Sequence, residues 1–243
     1  MNKSILRILK LAQKGKEGHV PSSLSILDII ETLYKNFITK NKFDKFVLSK
    51  GHGSLALYVV LEKYKITKNL DTFCSFKSNF GGHPDKNKIR GVESSTGSLG
   101  HGFPFASGIA LAKKIKNQKG KVFCLIGDGE CNEGTIWETC MIASHHKLDN
   151  LICIIDKNKS TDRALIVDDL KKKFSAFGWD AHVINGHKES LLIKTINKQK
   201  KKPLVIIANT IKGKGVSFME NSPEWHHKKI DDQTINKFFL ESK

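Results

Sequence analysis

At 243 residues and 39% apolar content, the chain is long enough to bury a substantial core, and without a run of roughly 18 apolar residues it offers no membrane helix. Its net charge of +17 would suit a nucleic-acid partner, yet only Arg7, Arg90 and Arg163 among the 41 cationic residues are arginine, the usual reader of base edges. A solvated, lysine-rich surface is the expectation, with no nucleic acid and no membrane among the partners. The five cysteines (74, 124, 131, 140, 153) form no CxxC pair, and their odd number fits no disulfide framework, so a reduced, cytoplasmic protein is expected.

In chain order, apolar periodicity predicts helices over 4–16, 25–37, 54–64, 104–116, 134–147, 168–177 and 189–200. The first has basic residues spread through its apolar ones, so it reads as an amphipathic helix and not as a signal-peptide core. Short β-branched runs separate the later helices: VFCLI (122–126), LICII (151–155), HVI (182–184) and LVIIA (204–208), with FVLS (46–49) a shorter candidate. Strands apolar on both faces, alternating with helices, predict an α/β fold. The expected architecture is a doubly wound, mostly parallel sheet with helices on both faces, in a single domain spanning 1–243. Segment 66–103, rich in Gly, Ser, His and Phe, lacks sustained periodicity. Long irregular stretches of this kind are usually functional or disordered, and its glycines and aromatics argue against disorder.

VFCLI runs into Gly127-Asp128-Gly129. In a doubly wound sheet, ligands bind beyond the carboxyl ends of the strands, so Asp128 is presented at that edge. Gly127 and Gly129 allow close backbone approach, and a helix opening at Gly134 adds N–H groups and a positive dipole end that favour phosphate. LICII ends in Asp-Lys-Asn, which brings Asn158 to the same edge 30 residues after Asp128. A carboxylate, an amide oxygen, a backbone carbonyl and two diphosphate oxygens make an oxygen-only shell suited to Mg²⁺.

These residues resemble the thiamine-diphosphate motif, GDG followed about 30 residues later by asparagine. The segments EGHVPSSLSILDIIETLY, DKFVLSKGHGSLALY, FGGHPD, GVESSTGSLGHG, GDGECNEGTIWE, DKNKS and TIKGKGVSFMENSPEWHH are similar, in this order, to the N-terminal half of transketolases. The resemblance covers about residues 10 to 230. It implies thiamine diphosphate as cofactor and Mg²⁺ (or Mn²⁺ or Ca²⁺) held by Asp128, Asn158 and the backbone carbonyl of Ser160. It further implies transfer of a two-carbon ketol unit from a ketose phosphate to an aldose phosphate. His19, His83 and His226 would contact the sugar, and His52 and His226 the cofactor diphosphate. Gly97 and Leu99 would meet the aminopyrimidine through their backbone. Glu133 and Glu138 would link the two cofactor sites across a subunit interface, Glu133 among the catalytic groups. Lys212 and Lys214 could equally reach phosphate or be solvated.

Two positions depart from the family pattern: His101 stands where many transketolases carry glutamine, and His227 where glycine is typical. The glutamate that protonates the cofactor pyrimidine lies in a domain this sequence does not include. The resemblance therefore implies a split enzyme, assembled as an α₂β₂ heterotetramer and inactive without a C-terminal, pyrimidine-binding subunit. Alternatives on the same residues are a subunit of another thiamine-diphosphate enzyme, a 2-oxoacid dehydrogenase or a deoxyxylulose-phosphate-synthase-like protein. A catalytically silent or nucleic-acid-binding protein on the same fold is the third reading. The GHV, KGHG and GGHP segments favour transketolase over the former, and the intact sugar and metal candidates count against the latter.

Overall fold

The computed structural model describes residues 2–162, 164–199 and 201–241. Among these residues five strands form one sheet: β1 (Lys45–Leu48), β2 (Val122–Gly127), β3 (Leu151–Lys157), β4 (Asp180–Asn185) and β5 (Leu204–Asn209). Their order is β1-β2-β3-β5-β4, and every neighbouring pair is parallel. All five strand runs expected from the sequence are therefore strands, and the sheet has helices on both faces.

Alternation along the strands decides which residue serves which face. Phe46, Leu48, Phe123, Leu125, Ile152, Ile154, Leu204 and Ile206 enter one core with α1 (Lys3–Gly15), α3 (Leu27–Leu33), α4 (Ser54–Lys63) and α8 (Glu189–Asn197). Val47, Val122, Cys124, Ile126, Leu151, Cys153, Val205 and Ile207 enter the other, under α5 (Gly102–Ile115), α6 (Gly134–His145) and α7 (Leu170–Ala176). A strand with two cores to fill cannot alternate with polar residues, which is why these runs read as continuously apolar. Among the described residues no helix is long and apolar enough to cross a membrane.

Three local features differ from the sequence expectation. The helix expected over 25–37 is α3 continued by a π-helical turn, Tyr34–Ile38, in which Thr39 returns both its N–H and its hydroxyl to the Tyr34 carbonyl. A five-residue α2 (Val20–Leu24) precedes it, with Pro21 in its first turn. A C-terminal α9 (Asp232–Glu241) buries only Thr234, Ile235 and Phe238, too little apolar surface to show as a periodic signal. Residues 66–101 are turns apart from a 3₁₀ turn at Leu70–Thr72, yet Leu70, Phe73, Phe80, Ile89 and Val92 from this stretch are buried.

Because all strands are parallel, their carboxyl ends share one edge, and the loops leaving β1, β2, β3 and β5 carry Lys50–His52, Asp128, Asn158 and Thr210–Lys212 there. At this edge the start of α5 packs on the end of β1 so closely that a Cβ on Gly102 would stand 2.6 Å from the Ser49 Cα. Gly108, within the same helix, has no atom within 4 Å of a Cβ position. Urea denaturation should therefore show Gly102→Ala losing roughly 1–3 kcal/mol, and Gly108→Ala gaining up to about 1 kcal/mol.

Candidate active site

The carboxyl edge is organised around Asp156, at the end of the central strand, whose side chain has no exposed surface. One of its oxygens accepts hydrogen bonds from Ser25 Oγ at 2.8 Å, from Asn158 Nδ2 at 2.9 Å and from the Lys50 ammonium. The other accepts from the Thr210 hydroxyl. Lys50 is itself buried and also donates to the Ser22 carbonyl at 3.3 Å. Asp156 fixes the Asn158 amide, since Nδ2 is committed to it. The amide oxygen is thereby left on the other side, where it accepts from the Ser160 N–H at 3.0 Å.

Asp128 reaches the same place from β2. Gly127 pairs with Asp156 in the parallel register, so the strand tips adjoin. Asp128 Oδ1 accepts from the Gly129 N–H at 2.9 Å and Oδ2 from the Lys159 N–H at 2.6 Å. Burial, then repulsion from Asp156, pushes its carboxyl up to about 6, against opposing pulls from Lys50 and those two N–H groups. Asn158, Lys159, Ser160, Thr210, Lys212 and His226 line a cavity of about 430 Å³ that opens beside it.

Glu130 follows in the 3₁₀ turn Asp128–Asn132 and is buried. Its carboxylate accepts from Ser49 Oγ at 2.6 Å, from the Gly100 N–H at 2.8 Å and from the Gly127 N–H at 2.8 Å. It thereby ties the loop before α5 to the ends of β1 and β2. Gly100, at φ +80°, is packed so that a Cβ would meet Thr135 Oγ1 at 2.5 Å and Glu133 Cβ at 2.8 Å.

Five histidines converge above this edge. The His19 ring lies 5.7 Å from His52, 6.1 Å from His226 and 4.5 Å from His227, centroid to centroid. His83 lies against Gly97, whose Cβ position is 3.2 Å from its ring. A Cβ on Gly51 would meet the Thr96 carbonyl oxygen at 2.7 Å, so the His52 turn rests on the 96–97 loop. Burial, then the Lys50 charge, drives His52 down to about 2. Burial lowers His19 against the pull of Glu17, and the Lys212 charge lowers His226. Burial and the neighbouring Lys50 bring Lys212 down to about 8.

The structure thus gathers His19, His52, His83, Gly97, Gly127, Asp128, Gly129, Asn158, Ser160 and His226 along one edge. Leu99, Glu133 and Glu138 are all exposed in this chain. Sequence reasoning missed Lys50, Asp156 and Glu130, and left Lys212 open. Each of those missed lies within two positions of a residue it did find, but a lysine or acid at a strand end or in a loop reads as solvated until packing shows it buried. Nearby, His187 joins Asp28 Oδ2 at 2.8 Å and accepts from the Ile211 N–H at 2.9 Å.

Residues 2–239 match the family described as "Transketolase, thiamine diphosphate binding domain". The chain belongs to the transketolase family. An apulose-4-phosphate transketolase subunit of Phocaeicola vulgatus is 39% identical over 238 residues, 91% of this chain and 84% of that protein. A 6-deoxy-6-sulfo-D-fructose transketolase subunit of Clostridium sp. (strain MSTE9) is 36% identical over 249 residues, 95% of this chain and 90% of that one. The crystal structure of transketolase from Campylobacter jejuni superposes with a TM-score of 0.87 at 32% identity, covering 100% of this chain and 43% of its own. This transketolase chain therefore spans most of the subunit-type relatives and under half of the Campylobacter enzyme, and it corresponds to the thiamine-diphosphate-binding domain of a transferase family.

The residues fit a divalent cation. Asp128 is a buried carboxylate whose charged form is disfavoured as it stands, and the nearby amide and carbonyl oxygens suit a hard metal. Because its pKa stands above the ordinary carboxylate value, the metal-free chain loses stability as pH rises through about 6. Asp128→Asn should escape that loss. At neutral pH, calorimetry of the cofactor-free variant should show a melting temperature raised by roughly 2–4 °C, about 1 kcal/mol, with no further stabilisation on adding Mg²⁺ and thiamine diphosphate.

Proposed function

We propose that this chain is the diphosphate-binding subunit of a split transketolase. With a separate pyrimidine-binding subunit, in an α₂β₂ assembly, it moves a two-carbon ketol unit from a ketose phosphate to an aldose phosphate. The observation that carries this reading is the junction of Asp128 and Asn158 at adjoining strand tips beside the cavity, under a group of histidines. The names of two relatives support both halves of it: both are transketolase subunits, and the sugars named carry a phosphate or a sulfonate. A ketose with an anionic far end is therefore the proposed donor class.

In this reading Asp128, Asn158 and the Ser160 carbonyl hold Mg²⁺ (Mn²⁺ or Ca²⁺ by the same oxygen chemistry). Gly127, Gly129, His52, His226 and Lys212 face the diphosphate, and Gly97 and Leu99 the pyrimidine end. Glu133 and Glu138 point toward the companion subunit, which their exposure leaves them free to meet. Thiamine diphosphate, when bound, supplies a carbon nucleophile and an electron sink for cleaving the bond beside a ketose carbonyl. A cytoplasmic location suits the five free cysteines, four of them buried.

Hydrogen bonds set the histidine tautomers. His19 Nδ1 donates to Glu17 Oε1 at 3.0 Å, so its Nε2 is bare and accepts a proton. His226 Nδ1 accepts from the Lys212 ammonium at 3.0 Å, so in the neutral ring Nε2 carries the proton and donates. An acceptor and a donor thus stand on rings 6.1 Å apart, with His83 nearby, the equipment needed to take a hydroxyl proton from one sugar and return one to the next.

Calorimetric titration with thiamine diphosphate, with and without Mg²⁺, tests the site. Wild type should require the metal, while Asp128→Ala and Asn158→Ala should lose affinity by at least roughly tenfold; equal binding in all cases would remove the assignment. In the cofactor-free chain, deprotonation of Lys212 frees His226 Nδ1 and ends the enforced tautomer. Nitrogen-15 NMR of that chain should therefore show the His226 tautomer signal change above about pH 8, and Lys212→Arg should move that change to higher pH.

A further inference from the structure

Beside the oxygen-rich site lies a cluster of different chemistry. Glu17 Oε1 stands 3.0 Å from His19 Nδ1 and 3.4 Å from His227 Nε2. One donor atom from each of the three residues lies within 4.8 Å of the others. Two ligands each about 2.0–2.1 Å from a tetrahedral Zn²⁺ are roughly 3.3–3.4 Å apart, so the separations to the carboxylate already approach that geometry.

The chain holds these groups together. The Glu17 carboxylate is anchored by the Gly18 N–H at 2.8 Å and the His19 N–H at 3.3 Å. A Cβ on Gly18 would lie 2.6 Å from the His227 carbonyl, so the lack of a side chain there lets the 226–227 segment settle on the 17–19 turn. That segment is fastened by Trp225, whose ring lies 5.3 Å from Phe218, and by buried Ile230. Glu17 and His19 are half-buried, while the His227 side chain is 59% exposed and leaves the site open to an arriving ion. Burial disfavours a second proton on the His19 imidazole, and to bind a metal through Nδ1 the neutral ring moves its one proton to Nε2, the ion replacing the hydrogen bond to Glu17.

We propose that Glu17, His19 and His227 form a second cation site, for Zn²⁺ or a similar borderline metal, at the sugar-binding end of the cleft. The proposal rests on the reading of His19 as a sugar contact: an ion there ties up the ring and stands in the donor's way, so zinc acts as a reversible inhibitor. Two imidazoles and a carboxylate select such metals over Mg²⁺, whereas the oxygen set at Asp128 selects Mg²⁺, so the two sites separate by metal chemistry. Three protein ligands leave a position for water, as in zinc sites that exchange ligands.

Equilibrium dialysis of the purified chain against Zn²⁺, with excess Mg²⁺ and thiamine diphosphate present, decides whether the site exists. About one zinc per chain should bind, persisting in Asp128→Ala and weakening by roughly tenfold or more in His227→Gly and Glu17→Gln. Unchanged zinc binding in His227→Gly, or zinc lost only in Asp128→Ala, would overturn it. This measurement needs no ketol transfer, so it stands or falls apart from the proposed activity. With the companion subunit, Zn²⁺ should raise the KM for the ketose in wild type and do so far less in His227→Gly. Zinc that binds without changing that KM would overturn the inhibitory role.

Discussion

A carboxylate with no access to water is what the site depends on. Asp156 ends the central strand and collects Ser25 from the turn before α3, Lys50 from the end of β1, Thr210 from the end of β5 and its own neighbour but one, Asn158. A buried ion pair contributes little net stability, but removing one partner leaves the other charge stranded at a cost of about 3–5 kcal/mol. The pair therefore works as a latch: the strand ends and the loops that carry the donors must be in place together or not at all. Asn158 has a defined amide orientation because one of its ends is consumed by that latch.

The charges nearby follow from the same burial. Lys50 is neutralised by Asp156, which leaves Asp128 short of a counter-ion and Lys212 next to a charge of its own sign. Histidines placed between two buried lysines resist protonation, so the cleft keeps imidazoles as neutral donors and acceptors at ordinary pH. A divalent cation bound to a polyanion suits this pattern from both sides. The cation gives Asp128 its missing partner, and the anion faces Lys212 and the loop N–H groups. Glu130 does for the loops what Asp156 does for the strands, holding three donors from three segments on one carboxylate.

Much of this could be read along the chain. The strands announced themselves as β-branched runs because each feeds two cores, and the Asp128–Asn158 pair because each comes within three residues of the end of such a run. His19, His52, His83 and His226 stood out only through the ordered segments that resemble transketolases. The ionic latch was not legible: Lys50 and Asp156 are 106 positions apart, and neither has a local signature. The same holds for His227, which showed in sequence only as a departure from the family pattern. Its meaning depends on Gly18, more than two hundred residues earlier in the chain, admitting its backbone.

The sequence by itself determined the parallel α/β sheet, the strand ends that carry the polar tips, and the family, because these rest on local periodicity and on ordered motifs. Only the tertiary structure decided which charges are buried, which carboxylate answers which ammonium, and which imidazole nitrogen is free. Those outcomes depend on desolvation and on distances of a few ångströms between segments remote in sequence, and no local pattern encodes them.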